Sequence, residues 1–300
     1  MKISIIGVGR MGGALALALV KKGYSIETLV ARRTETAQKI AAFINPKPRI
    51  SSAPESESLA ASEVIFICAQ DAEIEKTAES LAAAKLPGKP FIFHVSGSLS
   101  SSVLRVLRNE GFRVGSLHPL VSVSDALLGA ERFAGVYFCV EGEPEAAALA
   151  KKIVLDLEGK PFTVPTELKP LYHAAAVTAA GHLTALVSVA VEMLAACGLS
   201  NAAAQEILLP LVKSTVVNLE TQTPAEALTG TFARADVETL RRHLEILQSH
   251  AAPELAAVYL QLGRRSLHLA ESRETANREN LERMRELLRA AEDKIRRSDS

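Results

Sequence analysis

The first residues of the chain restrict its fold more than any others. An apolar run, Ile3-Ser4-Ile5-Ile6, ends in Gly7-Val8-Gly9-Arg10-Met11-Gly12, and an apolar helical stretch, Met11–Lys22, follows at once. Between a strand and a helix, each glycine of this spacing has its own task. Gly7 permits the tight turn, Gly9 lets a ligand approach the backbone, and Gly12 lets the helix pack closely on the strand. The unsatisfied N–H groups at the helix start, with the helix dipole behind them, favour an anion such as a pyrophosphate.

The strand–helix rhythm continues. Apolar strand-like runs are read at Ile3–Gly7, Ser25–Ala31, Val64–Ala69, Pro90–Val95, Arg113–Leu117, Val136–Val140 and Pro161–Val164. Helical stretches lie between them, such as Thr34–Phe43, Glu73–Lys85 and Ser101–Asn109. This alternation predicts an α/β, doubly wound parallel sheet of the Rossmann type. After Pro165 only helical patterns follow: Lys169–Ala196, Asn201–Leu219, Asp236–Gln248, Pro253–Glu271 and Ala276–Arg296, with Gly198 and Ser200 as punctuation between the first two. With 300 residues, too many for one ordinary core, the chain is expected to form a Rossmann domain over 1–165 and an all-α domain over 166–300. The last helix carries a stripe, Leu281, Met284, Leu288, Ala291 and Ile295, suited either to its own domain or to a partner helix.

Composition narrows the partners. Lys+Arg and Asp+Glu both number 34, so no net field draws the chain to nucleic acid or to an anionic membrane. Cys68, Cys139 and Cys197 are too few and too scattered for a disulfide framework or a metal site. The N-terminus is no signal peptide, so a soluble cytoplasmic protein is expected. Residues 174–197 carry no Lys or Arg, but Glu192 within them would cost about 2–3 kcal/mol in a bilayer core, so this Ala-rich segment is expected to be a buried central helix.

The second strand selects the nucleotide. Sites for the cofactor lacking a 2′-phosphate place an acidic residue about 20 residues on. Here Arg32, Arg33 and Thr34 stand instead, and guanidinium forks match phosphate oxygens. NADP is therefore the expected cofactor, held by Gly7, Val8, Gly9, Arg10, Met11, Gly12, Arg32, Arg33, Thr34, Ala69 and Gln70. Ligands meet such a sheet at the C-terminal ends of its strands. There lie Gln70 with Asp71, read as a helix cap; His94, read equally as a core histidine; Ser96; Ser98 and Ser100, competing as caps; and His118 before Pro119. Lys169 and His173 share a helix face at the start of the all-α domain, whereas His182, nine residues further, falls on the opposite face and reads as core or interface. Ser96, His118, Lys169 and His173 are the candidate catalytic residues, in a cleft between the domains.

The segments IIGVGRMGGALA, HVSGSLSSSVL, SLHPL, KPLYHAAAV and ALTGTFARADVETLRRHL closely resemble Rossmann-like proteins that carry the C-terminal domain of unknown function 2520. The resemblance runs from residue 3 to about residue 270. It implies an NADP-dependent oxidoreductase, related in fold to pyrroline-5-carboxylate reductase, ketopantoate reductase and prephenate dehydrogenase, with helical domains of the kind that pair into homodimers. His118-Pro119 is similar to the HP motif that handles a substrate hydroxyl in prephenate dehydrogenases. Lys169 matches the lysine of β-hydroxyacid dehydrogenases, but His173 replaces their asparagine. Thr231 replaces a family proline in what reads as a loop. The expected chemistry is hydride transfer to or from a small C=O or C=N substrate. A ketopantoate reductase-like action on a 2-keto acid and a non-catalytic NADP-sensing or scaffold role stay open.

Overall fold

The computed structural model describes residues 1–273 and 277–298. Eight strands form one sheet: β1 Lys2–Ile6, β2 Ser25–Val30, β3 Arg49–Ser51, β4 Val64–Ile67, β5 Phe91–His94, β6 Val114–Pro119, β7 Tyr137–Gly142 and β8 Lys160–Phe162. Their order is β3-β2-β1-β4-β5-β6-β7-β8. β1 and β4 are parallel, and the reversal of strand order between them creates the switch point at which such sheets bind ligands. The expected sheet is present with two differences. The β6–β7 pair is antiparallel, so the sheet is mostly rather than wholly parallel. Strand β3 was absent from the sequence reading, because three residues on an edge, just after Pro46 and Pro48, carry too little periodicity to register.

Apolar side chains fill both faces of the sheet. On one side Ile3, Ile5, Phe66 and Phe93 pack with the helix Arg10–Lys21 and with Ile153 and Val154; on the other Ile65, Ile67 and Ile92 pack with Ile74, Leu81 and Leu107. Strand β4 is buried at every position, as a central strand covered on both faces must be. The first bend depends on its glycines. Gly7 has φ +95°, and a Cβ there would stand 2.6 Å from the Cys68 carbonyl oxygen. A Cβ on Gly12 would overlap the Gly7 carbonyl oxygen, which is why the helix can lie so close to the strand.

The chain divides into two compact units, residues 1–181 and 182–300, and the division falls inside the helix Lys169–Ala196. In the second unit the helices Val237–His250, Pro253–Glu271 and Arg278–Ser298 share a core of Leu240, Leu244, Leu260, Leu267, Leu281, Met284 and Leu288. The stripe of the last helix therefore covers its own unit; the side chain of Ile295 lies outside the described residues. Gly198 (φ +92°) ends the long helix, and the Ser200 side chain accepts from the Ala203 N–H to start Asn201–Thr221. Thr231 lies in a short helix, Gly230–Ala233, rather than in a loop; a first helical turn accepts either threonine or proline.

The long helix overturns the expectation of a buried central helix. It is long and apolar enough to cross a membrane, and none of its most apolar window is buried. Of its residues Lys169 alone is buried. His182 is exposed, so it is not core. An Ala-rich sequence is compatible with burial but cannot produce it; nothing among the described residues covers these faces.

Replacing Gly12 with alanine is expected to destabilise the protein by about 2 kcal/mol or more, because the added methyl meets backbone that cannot move aside. Urea unfolding checks this, and an unchanged midpoint would contradict the packing described.

Candidate functional site

The switch point opens into a cleft of about 470 Å³. Its floor is Gly7, Val8 and Gly9, and Arg32, Arg33, Ala69 and Gln70 line it. The first helical hydrogen bond runs from Gly13 N–H to Gly9 carbonyl, so the amides of Arg10, Met11 and Gly12 precede the helical ladder and stay available to an anion. Gly9 is the N-cap and supplies no side-chain acceptor to occupy them. Arg10, Met11 and Gly12 do not line the cleft. Arg32 and Arg33 are exposed beyond the end of β2, free to close on a phosphate. Thr34 does not line the cleft, whereas Thr36, Ser52 and Lys76 do. These three escaped the sequence reading because they lie on other turns and elements, where no motif marks them.

A second group of polar residues gathers at the ends of β5 and β6. All of its members lie in the first compact unit, residues 1–181. The first turn of the long helix brings Tyr172 and His173 to His118. The Tyr172 hydroxyl lies 2.6 Å from His118 Nδ1, and the His118 and His173 rings meet edge to face at 5.8 Å. Gly97 makes this approach possible. A Cβ there would stand 2.5 Å from His173 Cδ2 and 2.8 Å from His118 Nε2.

Lys169 takes a different place from the one expected. Its ammonium has no exposed surface; it donates to Ser116 Oγ at 2.6 Å and pairs with Glu141 at 3.3 Å. Glu141 in turn accepts from the Ser101 N–H and the Ser101 hydroxyl, both at 2.7 Å. Burial lowers the Lys169 pKa, and the Glu141 carboxylate works against that shift. The lysine is therefore engaged within the fold and does not present an open ammonium to a ligand. Glu141 was missed: within the run ending β7 nothing distinguishes a buried carboxylate from one at a strand exit.

The remaining candidates are local. Ser96 Oγ accepts from the Ser98 and Leu99 N–H groups, which organises the turn after β5 and leaves its proton free to donate. Asp71 does not cap its helix. Gln70 holds the N-cap position without a side-chain bond, and the Asp71 carboxylate accepts instead from the Ser98 hydroxyl at 2.6 Å. Ser100 precedes its short helix without a side-chain cap either. His94 is fully buried, and its Nδ1 accepts from the Ser96 N–H, so the proton sits on Nε2. The thiols are unpaired; burial pushes Cys68 up to about 12 and leaves it inert at neutral pH.

Both site histidines are held neutral. Burial, followed by the nearby Lys169 ammonium, lowers His94 to about 3, against smaller opposing contributions from Ser100 and Asp71. Burial, then His173 and Lys169, lowers His118 to about 4. A folded pKa below the unfolded value of 6.5 fixes the sign. Below pH 6.5 the unfolded chain binds protons that the folded protein refuses. Stability therefore falls with falling pH until the folded histidines themselves protonate. Each contributes a slope of about 1.4 kcal/mol per pH unit in that window. Urea midpoints between pH 6.5 and 5 test this: His94→Asn, whose amide oxygen can still accept from Ser96, is expected to lose one such slope. A variant with the slope of the parent would overturn the assignment.

Comparison with known proteins agrees with this fold. Residues 2–95 match the family described as NADP oxidoreductase coenzyme F420-dependent, and residues 136–266 match the domain of unknown function DUF2520. Protein TM1727 from Thermotoga maritima is similar in structure (TM-score 0.67, 25% identity, over 90% of this chain and 98% of that one). A 1-pyrroline-5-carboxylate reductase from Streptococcus pyogenes has the same fold (0.59, 16%, 90% and 98%). So has a reductive aminase from Aspergillus terreus solved with NADPH and ethyl-5-oxohexanoate (0.57, 17%, 99% and 94%). Curated proteins give no significant match. Over these residues the chain is similar to two families, an N-terminal NADP oxidoreductase segment of the coenzyme F420-dependent type and a C-terminal DUF2520 domain.

Proposed function

We propose that this protein is an NADP(H)-dependent oxidoreductase that moves a hydride to or from a small C=O or C=N substrate at the C-terminal edge of its sheet. The observation that carries the reading is the cleft in which the Gly7-Val8-Gly9 bend and the guanidinium groups of Arg32 and Arg33 line one space. The amides of the bend suit a pyrophosphate and the arginines a 2′-phosphate. NADP(H) supplies or takes the hydride; the protein contributes position and hydrogen bonds. His118 and His173 are the residues proposed to meet the substrate, with Ser96 as a nearby donor. Lys169 is proposed to act through the fold, given its bonds to Ser116 and Glu141. The reading in which it anchors a 2-keto acid accordingly loses support.

The proposal extends to assembly and setting. The helices Lys169–Ala196 and Asn201–Thr221 expose Leu171, Leu183, Leu186, Ile207, Leu211 and Val217. Exposed apolar side chains in this number call for a cover. A second copy fits it best: in a two-fold pairing the same Ala-rich helix meets itself, small side chains allow close approach, and Glu192 and His182 stay clear of lipid. The cytoplasm is the proposed compartment, where the free thiols are kept reduced.

Two measurements test these statements. Replacing Arg32 and Arg33 together by alanine is expected to weaken NADPH binding by about 100-fold or more while NADH binding changes little; equal losses in calorimetry would count against the 2′-phosphate site. Light scattering after gel filtration without detergent is expected to give twice the chain mass. A monomer, or material that needs detergent to stay in solution, would overturn the dimer. NADPH oxidation by a panel of 2-keto acids and cyclic imines separates an enzyme from a sensor that binds without turnover.

A further inference from the structure

His118 stands at the end of β6 with one ring nitrogen engaged and the other open, and which nitrogen carries the proton decides what it can offer a ligand. Nδ1 lies 2.6 Å from the Tyr172 hydroxyl, a contact that either atom can donate. The two possibilities differ in what they leave over. If Nδ1–H donated to the phenol oxygen, the phenol proton would need a further acceptor, and none is found for it among the described residues. The other faces of the Tyr172 ring meet Phe162, edge to face at 5.7 Å, and the His118 ring itself. If the phenol donates, one bond satisfies both groups, and the better acceptor, an imidazole lone pair, receives the better donor. The surroundings act the same way: burial raises the Tyr172 pKa, so the phenol keeps its proton, and lowers that of His118, so the ring keeps a lone pair.

We propose that Tyr172 is a positioning residue that locks His118 in the Nε2–H tautomer, so that the site presents a fixed neutral N–H to a hydrogen-bond acceptor on the substrate. The proposal deepens the oxidoreductase reading above and rests on it for the word substrate. Nε2 lies against Gly97, whose missing side chain admits the His118 and His173 rings; it makes no hydrogen bond among the described residues, and it is not one of the buried atoms left without a partner there, which are His94 Nε2 and Glu271 Oε1. The group it meets is therefore an oxygen or nitrogen with a free lone pair: a carbonyl oxygen, a carboxylate or an unprotonated imine. A protonated iminium nitrogen has no lone pair and would not be held here. Negative charge growing on a carbonyl oxygen during hydride delivery would strengthen the bond, which is the arrangement that favours a transition state over a ground state.

The test reads the tautomer directly and needs no activity. Long-range proton–nitrogen NMR on the full-length protein labelled with nitrogen-15 histidine distinguishes a protonated from a bare ring nitrogen. His118→Gln assigns the resonances by their loss. At neutral pH the His118 spectrum is expected to show a single form, Nε2 protonated and Nδ1 bare. Tyr172→Phe is expected to lose that single signature and give a mixture of both tautomers. A parent spectrum with Nδ1 protonated, or a folded Tyr172→Phe protein with an unchanged spectrum, would overturn the proposal. The parent spectrum decides even if the variant does not fold. Calorimetry with NADPH on the same samples keeps the outcomes apart: a protein that shows the predicted tautomer but binds no NADPH retains the lock and loses the oxidoreductase reading.

Discussion

An ammonium with no exposed surface is tolerated only where other groups replace the water it has lost. At Lys169 two groups do so, the Ser116 hydroxyl and the Glu141 carboxylate, and Glu141 is itself bonded to Ser101. The desolvation cost of such a pair can rival its attraction, so the bridge is not retained for stability alone. Its structural effect is to fasten the first turn of the long helix to β6 and β7. Because Tyr172 and His173 follow within that turn and the next, the same fastening sets the distance at which they meet His118. A helix entry pinned by a lone apolar contact could slide or rotate; a buried charge with defined partners cannot do so without breaking costly bonds.

The site reached in this way works with neutral groups. His94 and His118 are both kept unprotonated by burial beside a buried cation, and the charged groups near them are Lys169, its partner Glu141, and Asp71. At the opposite end of the binding surface the logic reverses. Arg32 and Arg33 are exposed, where positive charge costs little. In the proposed function the two regions divide their tasks: one would offer charge to phosphates, the other dipoles to a substrate.

Much of this was legible in the residues. The strand–helix alternation is a repeated pattern, and each repeat restates the same two periods, so the sheet and its order of elements emerge even where single boundaries shift. The glycine spacing carries its geometry with it, since Gly7 and Gly12 each stand where a Cβ would strike backbone. His118 was visible because a histidine before Pro119 at a strand end is unusual. Glu141, Tyr172 and Gly97 were not, because their importance lies in what faces them across 21 to 76 residues of chain. Asp71 illustrates the converse. It has the right identity and the right place for a cap, yet the Ser98 hydroxyl brought beside it takes the carboxylate instead.

The sequence by itself determined the class of the fold, the glycine bend and the arginine pair at the end of the second strand, because these follow from local patterns: periodicity, glycine steric freedom and a short count along the chain. Only the tertiary structure decided that Lys169 is buried rather than offered, that His118 meets a tyrosine, and that the long helix keeps its apolar faces uncovered within one chain. Burial and hydrogen-bond partners are properties of the space around a side chain, and residues distant in sequence fill that space. A local pattern names a residue and the face it lies on, but not what stands opposite.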